Sequence, residues 1–111
     1  MPDGPVIRWA PEPTPVRGIA AGAARGERLS AAFYVLQPGA VVPRHAHGNE
    51  EFGQVLRGAL ELEVGDETYA LTEGEGFVIP GGVPHAARAF DDGCQLLECY
   101  APPRAPLERS A

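Results

Sequence analysis

Residues 43–52 read PRHAHGNEEF, placing two of the chain's three histidines on either side of one alanine, with two glutamates close behind. In a β-strand residues i and i+2 share a face, so His45 and His47 present both imidazoles to one side. Glu51 lies four residues past His47, beyond the loop Gly48-Asn49-Glu50, where the next strand begins. Its carboxylate can swing back toward the point the imidazoles face. Glu50, a competing ligand, has the opposite strand parity and points outward. The same parity turns Gly53 and Val55 inward with Glu51, and small Gly53 is expected to leave space for a ligand. Taken alone, H-x-H is a weak signal, read either as a metal-gripping pair or as two ordinary surface or core histidines.

The surroundings of this stretch read as strands. LSAAFYVL precedes a Pro-Gly break, then come AVVPRHAH and EEFGQVLRG. In ALELEVG, Leu60, Leu62 and Val64 fall on one face and Glu61 and Glu63 on the other. That run meets ETYALTEG across Gly65-Asp66, a two-residue hairpin signal. GFVIP, a Gly-Gly turn, VPHAARAF, an Asp-Asp-Gly turn and CQLLECYA follow. Only AAGAARGE has helix-like composition, and it lacks an apolar stripe. Seven or more short strands separated by turn residues predict an all-β sandwich or barrel.

The 111 residues suit one domain. A proline-rich arm (1–17) precedes the barrel (18–101), and a proline-rich tail (102–111) follows. Val6, Ile7 and Trp9 are the arm's apolar anchors, and an extended arm of this kind lies along a sheet edge of this subunit or a neighbour. Fifteen carboxylates against nine arginines give a net charge of −6, with no basic face for nucleic acid. No apolar run is long enough to span a membrane, and the start lacks the apolar core of a secretory signal. A cytoplasmic location is therefore expected. Cys94 and Cys99, five apart in one strand, point to opposite faces and cannot bridge each other.

Two frames enclose the histidines. Gly39, His45, His47, Glu51 and Gly58 fit G-x5-H-x-H-x3-E-x6-G, and Gly74, Pro80, Gly82 and His85 fit G-x5-P-x-G-x2-H. Over residues 39–89 these resemble the two motifs of the cupin superfamily, with Ala89 where the second motif ends in asparagine. The resemblance implies an all-β, single-domain cupin β-barrel, a double-stranded β-helix or jelly roll. It also implies one divalent transition metal held by His45, His47, Glu51 and His85. Independently of the family, imidazoles with one carboxylate suit Fe, Mn, Ni, Co, Cu or Zn better than Mg or Ca. The alternative is a metal-free barrel keeping these groups as a polar network, which is costly wherever a member lacks a partner.

The end of the chain, LLECYAPPRAPL, resembles the closing strand of the small pectin-degradation cupins, which ketonise 4,5-unsaturated uronates. Those proteins typically carry D-x-F-x3-R there, and this chain has Glu98, Tyr100 and Arg104 at the same spacing. The resemblance implies a small-molecule substrate whose carboxylate Arg104 clasps, while Glu98 moves a proton and Tyr100 shapes the pocket. The chain departs from that pattern at Glu51, often glutamine in those proteins, at Tyr100, and at Ala105-Pro106, where they carry an acidic pair. A purely structural reading of the same three residues is a salt bridge and a rim aromatic that close the barrel. Two other functions stand beside ketonisation: a ferrous dioxygenase of a small dicarbonyl or thiol, and a non-catalytic small-ligand sensor. The length leaves no room for the helical DNA-binding domain that cupin regulators usually carry. A homodimer is expected, because so small a barrel leaves sheet edges to cover.

Overall fold

The computed structural model describes residues 4–106, and every regular element among them is a strand. The strands are β1 (Glu12–Pro13), β2 (Ile19–Arg25), β3 (Ser30–Leu36), β4 (Val41–His45), β5 (Glu50–Val64), β6 (Glu67–Thr72), β7 (Gly76–Ile79) and β8 (His85–Ala101). All pairings are antiparallel. The long strands β5 and β8 pair with each other over most of their length and carry the rest. Beyond Cys94, β8 is flanked by β3, and the facing part of β5 by β7, which gives the order β1-β2-β3-β8-β5-β7. At the other end the order is β4-β8-β5-β6. The cupin-like all-β architecture expected from the sequence is therefore present, with two sheets sharing β5 and β8.

The corner between the sheets differs from its expected form. Asp91-Asp92-Gly93 does not end a strand; β8 runs through it. Pairing passes from Gly58↔Cys94 to Leu60↔Ala89, so β8 carries the surplus residues as a bulge that bends both strands. Two glycines make the bend possible. Gly58 and Gly93 both have positive φ, and a Cβ on Gly58 would lie 2.1 Å from the Gly93 carbonyl oxygen.

AAGAARGE also departs from its helix-like composition. Its first residues form β2, paired residue for residue with β3, because small side chains suit a strand lying under Trp9. The Trp9 ring sits 6.1 Å from that of Phe33 and packs over Gly22. The arm thus lies along its own subunit's sheet edge, where β1 pairs with β2. The two-residue turn at Gly65-Asp66 is as expected, with Val64 opposite Glu67.

Alternation decides what faces inward. β3 buries every second residue, Ser30, Ala32, Tyr34 and Leu36. Ala32, Tyr34 and Leu36 join Val55, Leu60, Ala89, Cys94 and Leu96 in one core. Each large aliphatic so buried contributes roughly 1.5–3 kcal/mol. Burial also pushes the Cys94 thiol up to about 11, so it is an inert core residue, and both cysteines are free. Gly53 faces inward but leaves no space for a ligand. The Phe77 ring occupies it, with Cζ 2.1 Å from where a Cβ would stand. No helix among the described residues is long and apolar enough to cross a membrane.

Candidate metal centre

β4 delivers the first histidine. A one-residue surplus between Val42 and His45 shifts its register against β8, in the stretch that holds Pro43. Proline has no N–H to give a ladder, so a bulge suits it. The shift sets His45 directly opposite His85, with ring centroids 4.3 Å apart. His47 lies two residues past the end of β4, not within it as strand parity supposed. The turn Pro80-Gly81-Gly82 holds it in place from outside: the Gly82 N–H donates to the His47 carbonyl at 2.8 Å. Gly81 passes so close to the Gly48 carbonyl that a Cβ would lie 2.3 Å from its oxygen. The second sequence frame thus braces the first.

The three imidazoles are oriented alike. His45 Nδ1 donates to the Pro43 carbonyl (2.8 Å), His47 Nδ1 to that of Asn49 (3.1 Å), and His85 Nδ1 to that of Val83 (2.9 Å). A carbonyl only accepts, so each Nδ1 bears the hydrogen, and in a neutral ring each Nε2 is left with a bare lone pair. Burial and the neighbouring positive charges lower the proton affinity of His45 and His47, the latter to about 4. Both rings are therefore neutral at pH 7, as metal ligation requires. One nitrogen from each ring lies within 4.8 Å of one from each of the others.

Glu51 completes the cluster from the start of β5. Its Oε1 lies 3.1 Å from His47 Nε2 and 3.4 Å from His85 Nε2. An ionised carboxylate facing two bare nitrogens sets acceptor against acceptor. A proton on Glu51 would satisfy one of them, yet the buried His85 Nε2 has no hydrogen-bond partner among the described residues. A cation among the three imidazoles would satisfy their nitrogens together, so the histidine set fits a divalent transition metal. Glu50 is exposed, on the opposite face.

The other residues singled out in the sequence meet on the same cavity. Glu98 and Tyr100 sit on one face of β8, and Arg104 returns over the cavity from beyond the strand's end. The Tyr100 hydroxyl donates to Glu98 Oε1, and the Glu98 carboxyl hydrogen-bonds Glu51. Burial and the Glu51 charge beside it raise Glu98 well above the usual carboxylate range. Burial likewise raises Glu51, while its bond to Glu98 and the Arg104 guanidinium oppose the rise. Arg104 is only 8% exposed, with its guanidinium carbon 5.9 Å from the centre of the Tyr100 ring. The cavity's open volume is about 30 Å³, room for an ion and a water or two.

The cupin domain profile matches residues 32–98, more than half of the chain. The chain belongs to the cupin family. Among solved structures, KdgF from Halomonas sp. superposes with a TM-score of 0.79 at 28% identity, covering 88% of each chain. Among characterised proteins, this cupin is 32% identical over 76 residues to the HTH-type transcriptional regulator PuuR of Escherichia coli, spanning 67% of its own length but 41% of the regulator's. It is 36% identical over 73 residues to protein SchB of Streptomyces halstedii, spanning 65% of its own length and 53% of that relative's.

Two residues of this cupin's site were not singled out in the sequence. Tyr34, buried in β3, shares a 2.7 Å hydrogen bond with Tyr100. Because Tyr100 gives its own hydrogen to Glu98, Tyr34 is the donor. Strand parity in SAAFYVL carried a signal for it: a tyrosine on the buried face needs a polar partner. Ser30, also buried, bonds the backbone of Arg104, and nothing local in the sequence signals a contact 74 residues away.

Proposed function

We propose that this cupin is a metal-dependent isomerase that ketonises 4,5-unsaturated uronates. The observation that carries the reading is the placement of Glu98 and Arg104 around the same cavity as the three histidines and Glu51. A proton-carrying carboxyl and a carboxylate-binding guanidinium beside a metal site are the groups such a reaction needs. The likeness to KdgF over 88% of both chains supports it, as does the closing-strand spacing shared with the pectin-degradation cupins.

His45, His47 and His85, through Nε2, and Glu51 would hold the ion. When bound, the ion supplies Lewis acidity toward substrate oxygens. Arg104 pairs with the uronate carboxylate, for which its planar fork is suited. In the reaction the anomeric hydroxyl loses its proton, the bond from that carbon to the ring oxygen breaks, the enol oxygen becomes a ketone and C4 gains a proton. No atom is gained or lost. Glu98, held protonated by burial and by the neighbouring Glu51, is the proton carrier. Tyr34 and Tyr100 fix its orientation.

The test is the ultraviolet absorbance of 4,5-unsaturated galacturonate mixed with metal-replete protein, beside a chelator-treated control. Metal-dependent loss of the conjugated double bond, faster than the spontaneous rate, is expected. No acceleration would remove the uronate assignment and leave oxygen uptake by the ferrous protein as the next measurement. A homodimer and a cytoplasmic location belong to the same proposal. Removing residues 1–12 is expected to lower the mass in solution, and an unchanged mass would separate the arm from assembly.

A further inference from the structure

Arg104 lies outside any strand, three residues past the end of β8, yet its charge must be held at one place to select a substrate. Two side chains from elsewhere in the fold tie that short segment down. Ser30, the first residue of β3 and only 4% exposed, binds Arg104 reciprocally. Its hydroxyl donates to the Arg104 carbonyl at 2.9 Å and accepts from the Arg104 N–H at 2.8 Å. Two residues earlier, the Asn49 side-chain amide donates to the Pro102 carbonyl. Asn49 belongs to the loop between His47 and Glu51, and its own carbonyl receives the His47 Nδ1 hydrogen. The backbone carrying Arg104 is thus fixed to β3 on one side and to the metal-ligand loop on the other.

We propose that Ser30 and Asn49 are positioning residues that hold segment 102–104 in place and so aim the Arg104 guanidinium at the substrate's carboxylate. The aim at a carboxylate rests on the ketonisation reading; the holding of the segment does not. Ser30→Ala removes both reciprocal bonds at once, because one hydroxyl serves as donor and acceptor. Asn49→Ala removes the second tie while leaving the backbone carbonyl that orients His47.

The holding is read without any substrate. Trypsin cuts after arginine, and the Arg104–Ala105 bond is shielded while Arg104 is pinned. Metal-replete protein is digested briefly and the fragment ending at Arg104 is followed by mass spectrometry. Cleavage at that bond is expected to rise at least about fivefold in Ser30→Ala, and less in Asn49→Ala, with cuts at other arginines unchanged. Cleavage at the wild-type rate in a folded Ser30→Ala protein would overturn the proposal. If Ser30→Ala does not fold, Asn49→Ala decides by the same criterion.

The aim is read by kinetics on 4,5-unsaturated galacturonate. Ser30→Ala is expected to raise KM about tenfold with kcat within about twofold. Added to Arg104→Ala it should raise KM no further, since side chains that act through one another are non-additive. Additive losses in the double variant would mean that Ser30 acts on the fold alone, which contradicts the proposal. If wild-type protein shows no turnover, the ketonisation reading fails and the digestion alone decides the positioning.

Discussion

One cavity has two unlike walls, and β8 contributes to both. Leu36, Val42, Leu62, Ala86, Ala87 and Leu96 make an apolar lining. His45, His47, Glu51, His85, Glu98, Tyr100 and Arg104 make the polar lining of the same cavity. The apolar wall is held by burial, which has no direction, so a residue of similar size serves nearly as well. The polar wall is held by lone pairs and hydrogens whose directions are fixed one by one. Three carbonyls set the histidine tautomers, and two tyrosines aim one carboxyl. Damage to the first wall should therefore be read as lost stability, and damage to the second as lost chemistry.

Removing His85 should have the largest effect. His85→Ala deletes the buried nitrogen that has no hydrogen-bond partner among the described residues, so the folded protein is expected to lose at least about 10–100-fold in metal affinity, the loss known for outer partners alone. Full retention of metal, measured by elemental analysis after dialysis, would show that the ion sits elsewhere. Next comes Glu98→Gln, which keeps the shape of the wall but cannot carry a proton. Its kcat on the unsaturated uronate should fall about 10²–10⁴-fold with metal still bound. A variant as active as wild type would move the proton carrier to another residue.

Glu98 also predicts a pH dependence. Its proton affinity is raised in the folded metal-free protein, so its contribution to stability is present below the ordinary carboxylate value and is lost as pH rises through the folded value. Glutamine does not titrate. The melting temperature of metal-free Glu98→Gln should therefore exceed that of metal-free wild type by a margin that grows from pH 4.5 to pH 8. A margin that shrinks over that range would mean the Glu98 carboxyl is not buried beside Glu51.

Leu62→Ala tests the apolar wall. It should destabilise the fold by about 2–5 kcal/mol in denaturant titration while leaving metal stoichiometry unchanged. Loss of metal from the folded variant would mean that the two walls are not separable. The smallest effect is expected outside the cavity. Arg44 and Glu63 are about half exposed with charged atoms 3.8 Å apart, and Arg44→Ala should shift stability by less than about 1 kcal/mol.

The same contrast explains what the sequence made legible. Parity in ALELEVG and the turn at Gly65-Asp66 are local rules, and the structure follows them. The histidines and Glu51 were legible because their spacing is itself the motif. His47 reaches the site although it lies outside the strand, since the Pro80-Gly81-Gly82 turn places it, not strand parity. Asp91-Asp92-Gly93 looked like a turn because turns and bulges use the same residues; only pairing across β5 separates them. Gly53 looked like open space because nothing near it in sequence names Phe77 as the ring that fills it. Ser30 was silent for the same reason, and strand parity marked Tyr34 as a buried hydroxyl without naming its partner. Their roles lie in bonds to Arg104 and Tyr100, 74 and 66 residues away.

Metal binding here would depend on three imidazoles that carry hydrogen on Nδ1 and turn their Nε2 atoms toward one point. Long-range ¹H–¹⁵N correlation spectra of the histidine side chains, before and after adding one equivalent of zinc to chelator-treated protein, test this directly. The prediction is three Nδ1–H tautomers at pH 7, with all three Nε2 resonances moving together on zinc. A ring carrying its hydrogen on Nε2, or an Nε2 signal that stays in place when zinc is added, would contradict it.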